Sequence, residues 1–358
     1  MLAYQDRQAL ISALEEVRGS RVIGYVLGDR EAFPPAPGGF LVTMTGEPHL
    51  LFADLLAEVG KVDHLDLFLY TRGGMTESVW PLVNLLRTHC EHLSVLVPFR
   101  AHSAGTLLCL GADEVVMGEL GELSPIDPTT GNQFNPRDPL NAAQSFGISV
   151  EDVTAYFDLA RERAGIKDER DMVEVLKQLT ASVHPLALGN VQRVYMMIRR
   201  MATELLALHL ERDDEKFKAV VKGLTTEFYT HLHAISQQEA KVLLGDWVRS
   251  ANGGEEAAMR ALFASYAETL ELRTRYNLPD VMGDQPVMDV AIDGAFLEST
   301  AASYCHTTSA KVMQRPNLPA GYQVQVPPGQ MIPLVPWASR TFEWSFQSVG
   351  WKQNTEGK

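Results

Sequence analysis

The sequence predicts an α/β protein built around a largely parallel sheet, and three observations support this. Short apolar runs alternate with segments of helical apolar spacing over residues 21–117. Two of these apolar runs end in turns of small residues directly before a helix. The composition, 46% hydrophobic and 21% charged, is that of a globular protein. Strand, helix and strand in regular succession are typical of parallel sheets covered by helices.

The elements of the first 117 residues follow in a clear order. A helix is predicted over residues 3–18, ending near Gly19, and a Pro/Gly loop over Gly28–Gly39. The predicted strands are Arg21–Leu27, Leu65–Tyr70, Leu93–Val97 and Glu114–Met117. The predicted helices between them are Leu50–Gly60, Thr76–Cys90 and Ser103–Ala112.

Later residues are predicted to be mostly helical up to about residue 274. The predicted helices are Val150–Ala164, Arg170–Thr180, Leu188–His209, Gln238–Leu244 and Glu255–Thr274, with a strand or loop over Phe228–Ile235. Proline and aromatic residues then dominate Arg315–Trp351, which cannot form a long helix. We therefore expect two parts: a main domain over residues 1–250, and a C-terminal helix with an irregular extension over residues 251–358.

Charge and composition exclude several classes of function. The formal net charge is −14, so the overall field repels nucleic-acid phosphates and anionic lipid. No apolar run reaches the roughly 18–20 residues of a membrane span, and acidic residues occupy the place of a signal-peptide core. Cys90, Cys109 and Cys305 have no metal-ligand spacing, and no GxGxxG fingerprint is present. We expect a cytoplasmic protein with reduced thiols, no metal site and no cofactor.

Two turns contain residues that could take part in catalysis or ligand binding. Thr71-Arg72-Gly73-Gly74-Met75 follows one predicted strand, and a Gly pair permits unusual backbone angles that leave N–H groups free. Ser103 lies in the turn Ala101–Thr106, between the next strand and its helix. Ligands of parallel sheets bind at this carboxyl edge. Read separately, Ser103 is an ordinary helix N-cap and the Gly pair an ordinary turn.

Together, the two turns resemble the ClpP/crotonase arrangement. Gly73 precedes Ser103 by 30 residues, with one helix and one strand between them. The runs Ser103–Pro128 (SAGTLLCLGADEVVMGELGELSPIDP), Val183–Arg193 (VHPLALGNVQR) and Leu224–Ala240 (LTTEFYTHLHAISQQEA) are similar to the serine dehydrogenase proteinase family. These are relatives of signal peptide peptidase A in the ClpP-like superfamily. The resemblance covers about residues 20–250.

The resemblance implies a ClpP/crotonase-like fold of repeated β-β-α units and the activity of a serine peptidase. Ser103 would be the nucleophile, and the N–H groups of Gly74 and Ala104 would form the oxyanion hole. Gly73 and Met75 would contact the substrate, a peptide or protein. ClpP-like domains commonly form closed assemblies, so a homo-oligomer is also implied.

The base that activates Ser103 is left open by the sequence. The ClpP histidine follows its serine by about 25 residues, where this chain has Pro125-Ile126-Asp127-Pro128. The remaining candidates are His231, His233, Lys222 and Lys177, with His231 preferred because an imidazole titrates near neutral pH. A lysine would need burial to lower its pKa. Asp127 could orient the base, although its context favours a structural turn.

Two other functions stay open at this point. A catalytically inactive scaffold would explain why the ClpP histidine is missing. A crotonase-type acyl-CoA enzyme would use the same oxyanion hole on a thioester, with a glutamate as base. Ser103 and the lack of a basic stretch for CoA phosphates argue against the second of these.

Overall fold

The computed structural model describes residues 4–33, 40–127, 129–139, 141, 145–226, 228, 230–318 and 338–354. The helices are α1 Tyr4–Arg18, α2 His49–Val59, α3 Val79–Arg87, α4 Ala104–Cys109, α5 Val150–Asp158, α6 Glu169–Ser182, α7 Pro185–Leu206, α8 Asp214–Thr226, α9 Gln237–Leu244, α10 Gly253–Thr269 and α11 Leu278–Met282. A short 3-10 helix, Thr76–Ser78, precedes α3, and a π-helical turn, Leu159–Arg163, follows α5.

The strands are β1 Arg21–Leu27, β2 Val62–Tyr70, β3 Cys90–Val97, β4 Arg100–Ala101, β5 Glu114–Met117, β6 Glu122–Leu123, β7 Thr129–Thr130, β8 Ile148–Ser149, β9 Ile235–Ser236, β10 Val248–Ser250, β11 Val287–Glu298, β12 Ser303–Asn317 and β13 Ser339–Gln353. Eight of them form one sheet in the order β10-β5-β3-β2-β1-β11-β12-β13. The pairs from β10 to β1 are parallel, and those from β1 to β13 are antiparallel. The predicted α/β class with a largely parallel central sheet is therefore confirmed.

Side-chain alternation divides the core into two layers. In β1, Ile23 and Tyr25 pack with residues of α2, α3, α4 and α7 on one face of the sheet. Val22 and Val26 of the same strand pack with α1 and α10 on the other face. Successive side chains of a strand point to opposite faces, so a strand covered on both sides reads as a continuous apolar run. This is why β1, β2 and β3 were visible in the sequence.

The expectation of an irregular C-terminal extension is wrong for the described residues. Val287–Glu298, Ser303–Asn317 and Ser339–Gln353 form long antiparallel strands, and the first of them pairs with β1. Prolines exclude a long helix but permit strands, and they mark strand ends such as Pro316. Residues 319–337, which contain five of the six prolines of Arg315–Trp351, lie outside the described residues.

Buried charges also connect the two ends of the chain. Glu298, fully buried on β11, accepts hydrogen bonds from Arg7 of α1, at 2.7 and 2.8 Å. The hydroxyls of Tyr266 and Ser303 complete its shell. The division of the chain at residue 250 stays a prediction, but strand pairing and this ion pair cross it.

Helix α8, Asp214–Thr226, was not predicted, and α4 ends at Cys109 rather than near residue 112. Over the described ranges, no helix combines the length and apolarity needed to cross a bilayer.

Candidate active site

The two turns singled out in the sequence meet at the carboxyl edge of the parallel strands. The N–H of Thr71 donates to the carbonyl of Arg100 at 2.9 Å, and the N–H of His102 donates to the carbonyl of Thr71 at 3.1 Å. These two bonds hold the turn after β2 against the turn after β3. The sheet therefore brings Gly73 and Ser103 together because their strands are neighbours.

Ser103 has a backbone conformation that L-residues rarely adopt. Its φ is +51° and its ψ is −112°, and a non-glycine residue in this region costs on the order of 1–3 kcal/mol. Its N–H donates to the hydroxyl of Ser124 at 2.7 Å, which holds the turn in place. The residue is partly exposed and lies at the start of α4. The ordinary N-cap is excluded, because its side chain makes no capping hydrogen bond.

Gly73 and Gly74 are required by close approach of the backbone. Gly73 has φ +100°, and a Cβ there would lie 2.7 Å from Cβ of Ser103. Gly74 has φ +153°, and a Cβ there would lie 2.3 Å from the carbonyl oxygen of Met44. Met44 lies beside Gly74 in a parallel bridge, which fixes the turn from its other side. Side chains at either position would push the turn away from Ser103 or from Met44.

Two backbone donors beside Ser103 are free to bind a ligand. Within the described part of the chain, the N–H groups of Gly74 and Ala104 donate to no protein acceptor. Ala104 is the first residue of α4, and the first N–H groups of a helix have no partner within it. Unpaired N–H groups beside a strained serine are what an oxyanion hole requires.

An open cavity of about 390 Å³ connects these turns with residues from distant parts of the chain. Its lining comprises Gly74, Met75, Thr76, Glu77, Ser103, Ile126, Asp127, Thr130, Gly131, Asn190, Arg193, Val194 and His231. The structure therefore brings together Ser103, His231 and two of the predicted glycine-turn residues, Gly74 and Met75.

His231 is paired with Asp127 in this cavity. Its Nδ1 lies 2.8 Å from Oδ1 of Asp127, whose side chain is 1% exposed. The hydrogen bond to Asp127 raises the pKa of His231 above its ordinary value, against an opposing effect of burial. Nδ1 must carry its proton to donate to the carboxylate, so Nε2 of the neutral ring is left as an acceptor.

The other candidate bases lie elsewhere. Lys222 is on an exposed face of α8 and lines a different cavity. His233 stacks on Phe228 and its Nε2 lies 3.1 Å from Glu239. Lys177 forms an exposed ion pair with Glu174 on α6. None of the three lines the cavity that contains Ser103, so geometry gives them no support as its base.

Several residues of the site carried a weak signal or none in the sequence. For Asp127, the sequence favours a structural turn over orienting the base, but the structure shows its carboxylate buried and accepting from His231. Ser124, which holds the N–H of Ser103, gave no signal because a lone serine has no distinguishing pattern. Asn190 and Arg193, both within the run Val183–Arg193, were given no role in the site, yet both line the cavity from α7. Pro128, the last residue of the PIDP motif, lies outside the described residues.

Comparison with known proteins identifies the family of this chain. A family model described as "ClpP-like SDH-type serine proteinase" matches residues 1–180, half of the chain. The chain belongs to the ClpP-like SDH-type serine proteinase family. The resemblance read from the sequence is thereby confirmed. The matched region contains Gly74, Ser103 and Asp127, whereas His231 lies beyond it.

Two proteins from Methanocaldococcus jannaschii are similar to this chain. The uncharacterized protein MJ1495 is 26% identical over 247 residues, which are 68% of this chain and 72% of that protein. The uncharacterized protein MJ0137 is 28% identical over 180 residues, which are 50% of this chain and 51% of that protein. The match therefore spans about half the length of the second relative.

Proposed function

We propose that this chain is a serine peptidase that hydrolyses peptide bonds through an acyl-enzyme on Ser103. The observation that supports this most is the shared cavity. Gly74, a strained serine and a carboxylate-paired histidine line it, from segments after β2, β4 and α8. Ala104, which has the second free N–H, directly follows Ser103 in the chain. Family membership supports the same reaction.

In the proposed reaction, Oγ of Ser103 attacks the substrate carbonyl while Nε2 of His231 takes the hydroxyl proton. The carbonyl π electrons move onto oxygen, and the N–H groups of Gly74 and Ala104 stabilise this oxyanion. The intermediate collapses, the C–N bond breaks, and His231 donates its proton to the leaving amine. Water, activated by His231, then hydrolyses the ester and restores Ser103.

Asp127 is proposed to orient His231. Its carboxylate accepts the Nδ1 proton, which fixes the ring tautomer and stabilises the imidazolium formed in each step. The Ser103 hydroxyl makes no hydrogen bond with any described residue. Catalytic hydrogen bonds commonly form only once substrate is bound. We therefore assign the Ser103–His231 bond to the substrate complex.

A fluorophosphonate probe tests the proposal directly, because it phosphonylates activated serines. We expect labelling of the wild type and none of Ser103→Ala. Ser348→Ala, an exposed position on β13, is the matched control and should label as the wild type does. Equal labelling of the wild type and Ser103→Ala would exclude Ser103 as the nucleophile, and labelling of neither would favour a non-catalytic scaffold.

We also propose a homo-oligomer in the cytoplasm that acts on peptide or protein substrates without a cofactor. Assembly would limit access to the open cavity. Sedimentation at micromolar concentration tests this point: a monomer throughout would contradict it.

A further inference from the structure

A partly buried ionic cluster adjoins the two turns of the proposed active site, outside the cavity itself. The cluster consists of Asp29, Arg72, Arg100, Glu122 and His102. Arg72 immediately precedes Gly73, and His102 immediately precedes Ser103. Each turn therefore carries one member of the cluster beside its functional residue.

Asp29 is the centre of this cluster. It lies in the loop after β1, and its Oδ2 is 2.5 Å from Nε of Arg72 and 2.9 Å from Nη1 of Arg100. The hydroxyl of Tyr70 donates to its other oxygen. Burial acts to raise the pKa of Asp29, but the hydrogen bonds from Tyr70 and Arg72 and the charge of Arg100 hold it below the ordinary value. Asp29 is therefore ionised and bound to both turns at once.

Glu122 closes the cluster on the side of Ser103. Its Oε1 lies 2.9 Å from Nε of Arg100 and 3.1 Å from Nε2 of His102, the latter without full hydrogen-bond alignment. Burial lowers the pKa of His102 to about 4, although Glu122 acts in the opposite direction. His102 is therefore neutral near pH 7, and two guanidinium groups balance two carboxylates.

This arrangement differs from an ordinary surface ion pair. The Arg72 side chain is half exposed, so its pair with Asp29 alone would contribute little. Asp29, in contrast, is mostly buried and accepts from three donors on two strands and their turns. Without its charge, Arg72 and Arg100 would repel each other across the contact between Gly73 and Ser103.

We propose that Asp29 is a positioning residue, which holds the Gly73–Gly74 turn against the Ser103 turn so that the oxyanion donors and the hydroxyl converge. This inference rests on the proposed peptidase function. Asp29 contacts no reacting atom in this scheme. It acts through Arg72 and Arg100 on the relative position of Gly74 and Ala104. A displacement of about 1 Å in such groups can cost on the order of 100-fold in rate.

The test is Asp29→Asn, compared with Asp113→Asn as the matched control. Asp113 also accepts from an arginine, Arg87 at 3.0 Å, but near the amino end of β5. Phosphonylation by the fluorophosphonate probe separates the maximal rate, kinact, from the half-saturating concentration, KI. We expect Asp29→Asn to lower kinact about 10- to 100-fold with KI within about threefold. Asp113→Asn should lose about as much thermal stability as Asp29→Asn, but its kinact should stay within about twofold of the wild-type value.

Arg72→Gln supports the same test if Asp29→Asn does not fold. This variant removes the half-exposed Arg72–Asp29 ion pair, while Arg100 still neutralises Asp29. We therefore expect folded protein with kinact lowered about three- to tenfold. An unchanged kinact in folded Asp29→Asn or in Arg72→Gln overturns the positioning role. So does an equal loss in Asp113→Asn, which would indicate stability alone. Absence of Ser103-dependent labelling in the wild type would instead remove the peptidase proposal, and this inference with it.

Discussion

Nδ1 of His231 lies 2.8 Å from Oδ1 of Asp127, although the two residues are 104 positions apart in the chain. The carboxylate is buried and the imidazole is 38% exposed. This pair gives the proposed site a base, His231, whose pKa is raised mainly by its hydrogen bond to Asp127. Three predictions follow from this pair, and two others follow from backbone contact at Gly73 and from the buried charge of Glu298.

Replacing Asp127 by Asn should slow phosphonylation of Ser103 by about 100-fold or more, because general base assistance contributes on that order. The amide no longer stabilises the imidazolium and permits the wrong tautomer. Asp289→Asn, with an exposed side chain, is the control and should react as the wild type does. A rate within threefold of the wild type for Asp127→Asn would exclude Asp127 from the mechanism. Both rates come from single-turnover labelling.

The labelling rate should increase with pH through an apparent pKa above 6.5. His231 is a base only when neutral, and the hydrogen bond to Asp127 raises its pKa. In Asp127→Asn, the residual rate should titrate at lower pH, because the largest cause of the raised pKa is gone. A pH profile that does not move in this variant would contradict His231 as the base.

The raised pKa of His231 also predicts that its contribution to the free energy of unfolding depends on pH. A pKa raised in the folded state stabilises the protein fully below the unfolded value of about 6.5, and this contribution is lost as pH rises through the folded pKa. His231→Gln should therefore lower the free energy of unfolding more at about pH 5.5 than at about pH 9. Urea unfolding at both values measures the difference. An equal loss at both would show that the pair adds no proton-linked stability.

Gly73→Ala should abolish labelling and lower the free energy of unfolding by about 1–3 kcal/mol. Alanine at this position would have to adopt φ +100°, and its Cβ would lie 2.7 Å from Cβ of Ser103. Gly189→Ala is the control, since that glycine lies in α7 with nothing within 4 Å. There, alanine should stabilise by about 0.5–1 kcal/mol. An active, stable Gly73→Ala would contradict the close approach of the Gly73 turn to the Ser103 turn.

Arg7→Ala should destabilise the whole fold by about 3–5 kcal/mol, since it leaves the buried carboxylate of Glu298 without its cation. Lys177→Ala removes an exposed pair and should change stability by less than about 1 kcal/mol. A single unfolding transition in Arg7→Ala, at lower denaturant, would show that both ends of the chain unfold together. A separate early transition confined to the C-terminal strands would instead support the division at residue 250.

The sequence identified the glycine turn and Ser103 because both follow strands that are buried on two faces. Such strands read as continuous apolar runs, and the order of parallel strands places their following turns at one edge. Strands β11 to β13 were missed because prolines near them suggested irregular structure. In addition, β11 and β13 have alternating exposed side chains over much of their length, so they do not read as continuous apolar runs. Helix α8 was missed in a segment rich in lysine and threonine.

The sequence by itself determined the class of fold, the family and the pair of turns around Ser103, since each depends on residues close together in the chain. Only the tertiary structure decided which of four bases shares a cavity with Ser103, that Asp127 faces His231, and that Asp29 joins both turns. Those relations depend on how distant segments pack across a sheet, and local patterns of hydrophobicity do not encode them.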